Sequence, residues 1–272
     1  MGAGQAADSI YSGYLFDNAA PHTGARFSAL SEIFDHGTIR HLRERGIQQG
    51  WHCLEVGGGG GSIATWLSGR VGPTGHVLVT DIDTRFLETL HLPNMEVRRH
   101  NIAIDSLPQG AFDLVHCRLV LMHLPERERV LERLVAALKP GGWLVDEEFD
   151  SLSMPADPGV NPSEVFLKTQ SAVSRLLAAR GAEPRFGRTL FARLRAHGLI
   201  DIAAEARAFM WQGRSAGASL WRANFEQLRE DLIGAGYTTK EQFDEDLARL
   251  DNPEFLTPSP IMWTAWGRRT LT

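Results

Sequence analysis

The stretch LEVGGGGGS, residues 54–62, decides the fold of this chain of 272 residues. It closes an apolar run, HCLEV at 52–56, that is typical of a buried β-strand, and it precedes SIATWLSGRV at 62–71, whose apolar residues recur at helical spacing. Glycine lets the backbone take positive φ and approach a ligand closely, and a helix start offers free N–H groups. The stretch therefore predicts a strand, a ligand-binding loop and a helix in succession.

Apolar strands alternate with helices on both sides of this loop. The pattern predicts strands at 76–81, 95–101, 111–121 and 140–150, and helices at 38–45, 84–92 and 127–139. Continuous Val, Leu and Ile runs between helices indicate a parallel sheet covered on both faces, and right-handed crossovers make it doubly wound. After residue 150 we expect helices at 163–180, 190–200, 219–236 and 239–251, and strands at 201–211 and 261–269.

Charge and cysteine content exclude several classes of function. The net charge is −5 and the pI about 6.1, which argues against nucleic-acid binding because such binding needs clustered Lys and Arg. Cys53 and Cys117 both fall in apolar runs, so we expect buried thiols and no disulfide or zinc site. The first residues lack a signal-peptide pattern, and no apolar run reaches membrane-spanning length. A cytoplasmic protein without a membrane partner is expected.

The glycine run does not fit the dinucleotide fingerprint G-x-G-x-x-G, since a pattern begun at Gly57 places its last position on Ser62. It does fit E-x-G-x-G-x-G from Glu55 to Gly61, which suits a nucleoside joined to an amino-acid group. Asp81 ends the second strand, where a carboxylate can accept both ribose hydroxyls, although a capping role is the alternative. Further nucleoside contacts are predicted for three residues that follow strands: Ile82 on the adenine face, Asn101 at the adenine amine and the Ile102 N–H.

Together these residues resemble the class I S-adenosylmethionine-dependent methyltransferases. The matching elements are LEVGGGGGS, TDID at 80–83, HNIAIDSLPQGAFDLVHCRLVLMHL at 100–124 and LKPGGWLVDEEFD at 138–150. The resemblance covers roughly residues 40–150 strongly. A weaker one, to bacterial methyltransferases with small-molecule or unassigned substrates, extends to the whole chain, including YLFDNAAP at 14–21 and the tail segments 222–255 and 266–269.

The resemblance implies an α/β fold, a doubly wound, mostly parallel, seven-stranded Rossmann-like sheet with its last strand inserted antiparallel. Residues 1–37 would form an N-terminal lid, 38–150 the core that binds S-adenosylmethionine (SAM), and 151–272 the rest of the sheet with a helical substrate cap. The cofactor would be held by Glu55, Gly57, Gly59, Gly61, Asp81, Ile82, Asn101, Ile102, Cys117 and Arg118. Asn101 departs from the family, which usually has Asp at this position.

Candidates for acid–base chemistry lie at the ends of strands four and five. His123 has an ordinary pKa near 6.5 that suits a base. Alternation along the strand sends Asp146 and Glu148 to one face and Glu147 to the other. Arg118 could pair with a ligand carboxylate or with one of these acids. No spacing of ligands indicates a metal, so none is expected.

Aromatic residues are candidates for the lid and the acceptor pocket. Tyr11, Tyr14 and Phe16 precede the core and could close over the cofactor, with ordinary packing as the alternative. One or two of four tryptophans are expected to line an apolar acceptor site: Trp211, Trp221, Trp263 and Trp266.

The function predicted from the sequence is methyl transfer from SAM to an O, N or C nucleophile of a small metabolite, with secondary metabolites among the candidate substrates. One alternative is a SAM-binding enzyme that catalyses a reaction other than methylation. Another is a nicotinamide-dependent oxidoreductase, which the glycine pattern disfavours. A non-catalytic binding protein would require a degraded cofactor site. The sequence leaves a homodimer open.

Overall fold

A seven-stranded sheet forms the centre of the protein in the computed structural model, which describes residues 15–16, 18–153 and 164–271, with the backbone alone for 164–167. The strands are β1 (His52–Val56), β2 (His76–Asp81), β3 (Met95–Arg99), β4 (Phe112–Arg118), β5 (Leu138–Asp150), β6 (Ile200–Arg207), β7 (Met210–Gln212), β8 (Leu256–Pro258) and β9 (Ile261–Arg268). The helices are α1 (Thr23–Glu44), α2 (Ser62–Val71), α3 (Arg127–Ala137), α4 (Glu164–Ala179), α5 (Phe186–Ala196), α6 (Ala216–Gly234) and α7 (Lys240–Leu250).

The strand order β3-β2-β1-β4-β5-β9-β6 confirms the doubly wound sheet. The first five strands run parallel, whereas β9 runs antiparallel to both β5 and β6. The order reverses between β1 and β4, so the loops after these two strands diverge and leave a crevice at their carboxyl ends. β7 and β8 form a separate antiparallel pair.

Helices cover both faces of the sheet. On one face, α1 and α2 bury residues such as Leu42 and Leu67 against Leu114. On the other face, α3 and α5 pack Leu134 and Leu190 against the sheet. Full burial of a leucine side chain stabilises the fold by about 1.5–3 kcal/mol, so the two apolar layers hold the sheet rigidly beneath its carboxyl edge.

A third apolar cluster joins α4, α6 and α7 and forms a helical cap. Phe225 of α6 and Phe243 of α7 are fully buried in it, and Phe34 of α1 packs into the same cluster. The cap therefore stands beside the sheet and contacts α1, which places an apolar wall next to the carboxyl edge.

Two sequence predictions about helices were wrong. The helix predicted at 38–45 begins earlier, at Thr23. The sequence pattern missed its first half because the buried face there includes polar residues such as Arg26 and so lacks an apolar period. The helix predicted at 84–92 is a series of turns. A Cβ added at Gly58 would lie 3.2 Å from Leu87, and one at Gly61 would lie 2.2 Å from Leu90, so this segment is moulded onto the glycine loop.

Candidate active site

A cavity of about 1030 Å³ opens at the carboxyl ends of β1, β2 and β4. The predicted site residues that line it are Phe16, Glu55, Gly57, Gly59, Asp81, Ile82, Asn101, Ile102, Arg118 and His123. Among the described residues, four predicted ones do not line it: Gly61, Cys117, Asp146 and Glu148. Tyr11 and Tyr14 lie outside the described residues.

The glycine loop needs its glycines for conformation and for space. Gly57, Gly59 and Gly61 all have positive φ, at 69°, 51° and 79°. A Cβ at Gly57 would lie 2.3 Å from Val120, on the loop after β4, so the two loops at the switch point touch through this glycine. The Gly57 N–H donates to the Thr80 carbonyl at 2.8 Å. The loop is therefore tied to β2, and its upper side faces the cavity.

Asp81 organises the loop from the end of β2. Its Oδ2 accepts from the Gly59 N–H at 2.9 Å and its Oδ1 from the Asp83 N–H at 3.0 Å. Burial raises the pKa of Asp81, while these backbone hydrogen bonds oppose the shift. Each carboxylate oxygen has a second lone pair, so the side chain that shapes the loop can also accept hydroxyl groups of a ligand.

The turn after β3 presents Asn101 and Ile102 to the cavity. The Asn101 side-chain oxygen accepts from the Ala103 N–H at 3.0 Å, and the Asn101 N–H donates to Asp105 at 2.8 Å. This local network fixes the turn. It leaves the Asn101 amide at the wall of the cavity and places the apolar Ile102, which is buried, beside it.

Helix α1 supplies a wall that sequence reasoning missed. Arg26 lines the cavity and is buried, and its guanidinium lies 5.0 Å from the ring centroids of both Phe16 and Phe27. Its Nη2 donates to Asn18 at 3.1 Å, but its Nε has no hydrogen-bond partner, and no carboxylate of the described residues lies within ion-pair distance. Phe27 packs over Gly59 and Gly60. A buried cation with no carboxylate partner among the described residues therefore stands above the glycine loop.

Beneath the loop, a buried ladder of charged groups crosses the sheet on its α1 face. His116 Nδ1 lies 2.6 Å from Glu55 Oε2, and His116 Nε2 lies 3.5 Å from Glu147 Oε2. Burial alone would lower the pKa of His116, but the two carboxylates outweigh it and raise the pKa to about 9. Burial opposes ionisation of Glu147, yet the hydrogen bond and charge of His116 hold its pKa at about 2. The imidazolium therefore bridges two carboxylates, one of which faces the cavity.

Arg118 closes the side of this ladder next to the cavity. It pairs with Asp35 of α1 at 2.9 Å and donates to Thr38 at 3.0 Å. The ion pair suggested by the sequence was with an acid of β5, so its partner is corrected to Asp35. Because Asp35 already neutralises it, Arg118 has less charge to offer a ligand carboxylate than Arg26 has.

Asp146 and Glu148 point to the face of β5 opposite Glu147, as alternation predicted, and they lie under the floor of the cavity. Both are fully buried with Cys117, with ligand atoms within 4.8 Å of one another. Burial raises the pKa of Asp146 to about 7, and burial together with the nearby charge of Asp146 raises the pKa of Glu148 well above its usual value. This burial separates them from any molecule in the cavity.

Glu148 has a clear structural task. Its Oε1 accepts from the Val120 N–H at 3.1 Å and from the Leu121 N–H at 2.6 Å. The preceding residue, Leu119, has a φ of 57°, which a branched side chain adopts only when its surroundings enforce it. Glu148 thus pins the turn that carries Val120 to the glycine loop and His123 to the cavity.

His123 follows that turn and lines the cavity. Its ring meets Phe16 edge-on with centroids 5.9 Å apart. Burial lowers the pKa of His123 to about 4, with the charges of Arg26 and Arg127 adding to the effect. The imidazole is therefore neutral near pH 7 and can accept a hydrogen bond or a proton. It is the one sequence-predicted catalytic residue that the structure brings to the cavity.

Of the four candidate tryptophans, Trp211 and Trp221 line the cavity. Trp266 instead packs against His41 and beneath Arg45, and Trp263 joins the core of the sheet. The prediction that one or two tryptophans would form an apolar pocket is therefore consistent with their placement.

The strand order and the glycine loop at its switch point define a Rossmann-like fold of the class I methyltransferase type. Residues 54–144 match the model of a methyltransferase domain family. The resemblance seen in the sequence is confirmed over this segment: residues 54–144 match a methyltransferase domain, and the sheet around them has the class I topology.

Individual relatives agree with this assignment. The chain is 31% identical over 139 residues to methyltransferase str2 of Strobilurus tenacellus, and the aligned segment covers 50% of the chain and 49% of that protein. It is 28% identical over 138 residues to the ubiquinone/menaquinone biosynthesis C-methyltransferase UbiE of Pseudoalteromonas translucida, covering 46% and 55%. The chain thus spans about half the length of the curated relatives it matches.

A solved structure extends the likeness to nearly the whole chain. The phosphoethanolamine N-methyltransferase 2 of Haemonchus contortus, in complex with SAM, superposes with a TM-score of 0.61 at 13% identity. The match covers 98% of this chain and 60% of that one, and at this identity it shows the fold. Among the described residues, none of the helices has the length and apolar character needed to cross a membrane.

Proposed function

We propose that this protein binds SAM and transfers its methyl group to an oxygen, nitrogen or carbon atom of a small molecule. The observation that carries the proposal is one cavity with two unlike walls. The glycine loop, Asp81 and Asn101 form a polar wall, and residues of α4 and α6 form an apolar one. A volume of about 1030 Å³ lies at the upper end of small-molecule sites, so it supports cofactor and acceptor lying side by side.

The residues of the polar wall fit the parts of SAM. Positive φ at Gly57 and Gly59 lets the backbone approach the amino-acid group, and Asp81 has lone pairs for the ribose hydroxyls. Ile82 and Ile102 offer apolar surface to the adenine, with Asn101 at its edge. In this arrangement, we assign the cofactor's carboxylate to Arg26, whose orphaned Nε supports that role.

When bound, SAM would supply an electrophilic methyl carbon, which would bond to an electron pair of the acceptor while the electrons of the broken C–S bond go to sulfur. The protein's own contribution is alignment and exclusion of water by Phe16, Phe27 and the helical cap. His123 is the residue we propose to orient the acceptor or to receive its proton. We propose no direct catalytic role for Asp146 and Glu148, because both are buried beneath the floor.

Calorimetric titration of the purified protein with SAM, S-adenosylhomocysteine (SAH) and NAD tests the cofactor. We expect saturable, micromolar binding of the first two and none of NAD. Binding of NAD alone would replace the proposal with an oxidoreductase. Binding of SAM without methylation of any acceptor in a broad small-molecule screen would favour a non-methylating enzyme of the same fold.

A further inference from the structure

The end of the cavity away from the glycine loop has a distinct chemical character. Its acceptor wall is formed by Gln170, Val173, Leu177, Trp211, Leu220 and Trp221, all of them buried. Trp211 and Trp221 meet edge to face with ring centroids 5.9 Å apart. Such a wall offers aromatic faces and edges to a ligand, an arrangement that favours ring-containing molecules.

The acceptor wall has no charged side chain among the described residues. The Asp, Glu, Lys and Arg residues that line the cavity lie either at the cofactor end (Arg26, Glu55, Asp81 and Arg118) or at its rim (Glu126 and Arg180). Arg180 is 43% exposed and pairs with Asp231 at 3.4 Å. An ionised group of a ligand would therefore lose its hydration against this wall without gaining a counter-charge.

One polar atom on this wall lacks a partner. Gln170 is 1% exposed, and its Nε2 donates to the Thr257 hydroxyl at 3.0 Å. The Thr257 hydroxyl in turn lies 3.5 Å from the Pro258 carbonyl, to which it can donate while it accepts from the amide nitrogen, an arrangement consistent with this orientation of the amide. Gln170 Oε1 is left buried with no hydrogen-bond partner among the described residues.

Among the described residues, Ser174 is a neighbouring polar group that does not compete for that atom. Ser174 lies one turn further along α4 and donates to the Ser151 hydroxyl at 3.1 Å. The Ser151 hydroxyl donates to the Pro184 carbonyl at 3.3 Å, so this pair satisfies itself. A buried amide oxygen without a donor costs about 1–3 kcal/mol, which a ligand with a suitably placed donor recovers.

We infer that the acceptor is an uncharged, ring-containing molecule that donates a hydroxyl or N–H hydrogen to Gln170. This inference rests on the proposed function and narrows it to a class of substrate. Gln170 then acts as a specificity residue, because a site that hydrogen-bonds a hydroxyl rejects the analogue without it more strongly than a purely apolar pocket can. It takes no part in the transfer itself.

Three probes of nearly equal shape test the inference on the full chain saturated with SAH: 2-naphthol, 2-methoxynaphthalene and 2-naphthoate. Quenching of tryptophan fluorescence reports binding, because Trp211 and Trp221 lie on the acceptor wall. We expect 2-naphthol to bind, the methoxy compound to bind about tenfold more weakly for want of its donor, and the carboxylate to bind weakest. Gln170→Met should make the first two equal.

The control is Ser174→Ala, which alters a neighbouring polar residue of α4 that also lines the cavity but leaves Gln170 intact, so it should keep the preference for 2-naphthol. Thermal denaturation and SAH titration of each variant verify folding, and the three-probe series on the unmodified protein stands without any variant. Equal binding of 2-naphthol and 2-methoxynaphthalene, a preference for 2-naphthoate, a preference that survives Gln170→Met, or binding of none of the probes would overturn the inference. Since SAH binding is measured in the same samples, its loss in the unmodified protein would mark failure of the proposed function instead.

Discussion

Replacing Asp81 with alanine removes a carboxylate that the glycine loop uses before any ligand binds. Its oxygens accept from the Gly59 and Asp83 N–H groups at 2.9 and 3.0 Å, in a site where Asp81 is only 8% exposed. Asp81→Ala therefore deprives two N–H groups of their acceptor and removes the lone pairs assigned to the ribose. Charge-assisted hydrogen bonds of this kind contribute about 1.5–3 kcal/mol, so the Kd for SAH should rise roughly 10- to 150-fold.

Isothermal titration with SAH measures this effect, and Asp83→Ala is the matched control. Asp83 is an acid two residues away that does not line the cavity and accepts from the Arg85 N–H at 3.1 Å. We expect its replacement to change the Kd by about twofold or less, the scale of surface substitutions.

The pH dependence supplies a second reading on Asp81. Burial raises the pKa of this carboxyl above its ordinary value of 3.8, so the carboxylate is protonated at a higher pH than an unperturbed aspartate as the pH is lowered. The affinity for SAH should therefore begin to weaken at that higher pH, and Asp81→Ala should remove the dependence. An Asp81→Ala variant that binds SAH as tightly as the unmodified protein, or losses of equal size in both variants, would refute the ribose assignment.

Three other predictions concern charge. Arg26→Gln should weaken SAH about tenfold or more yet leave 5′-methylthioadenosine, which lacks the carboxylate, nearly unchanged in the same titration; equal losses for both ligands would contradict the carboxylate assignment. His123→Ala should lower kcat about 100-fold, and because burial lowers the pKa of His123 to about 4, the pH–rate profile of the unmodified protein should show no inflection from this group near 6.5; a loss of only a few-fold would make its role structural. The pKa of His116 is raised to about 9 and that of Glu147 lowered to about 2, so the stability they contribute should be complete between about pH 4.5 and 6.5 and decline as pH rises through 9 or falls toward 2. Urea unfolding of Glu147→Gln should lose the decline on the acid side and show a smaller one on the alkaline side, because Glu55 still pairs with His116; an unchanged profile would exclude the ladder as its source.

The sequence predicted the parallel core well, because strands that are buried on both faces are visible as local runs of apolar residues. Buried strands such as 52–56 and 76–81 are short, continuous apolar runs, and their structural bounds match those runs. The glycine run and Asp81 were recognisable for the same reason, since a βα loop at a switch point needs glycine conformations in a fixed place along the chain.

Local pattern failed where tertiary contacts set the conformation. The turns at 84–92 follow the shape of the glycine loop, against which Leu87 and Leu90 pack. Helix α1 buries polar residues: Arg26 lines the cavity, and Thr38 contacts the buried ladder. Its sequence therefore does not show an apolar face at 23–37. Polar groups buried for a task weaken the periodicity by which helices are recognised.

By itself the sequence determined the fold class, the glycine loop at the switch point and the acid at the end of β2, because each is a property of neighbouring residues. Only the tertiary structure decided which polar side chains reach the cavity. It brought Arg26 and Gln170 to the cavity from helices far apart in the chain, and it buried Asp146 and Glu148 beneath the floor. Strand alternation tells which face of the sheet a side chain takes. Whether that face is open or covered depends on the helices that pack on it, and those contacts are long-range.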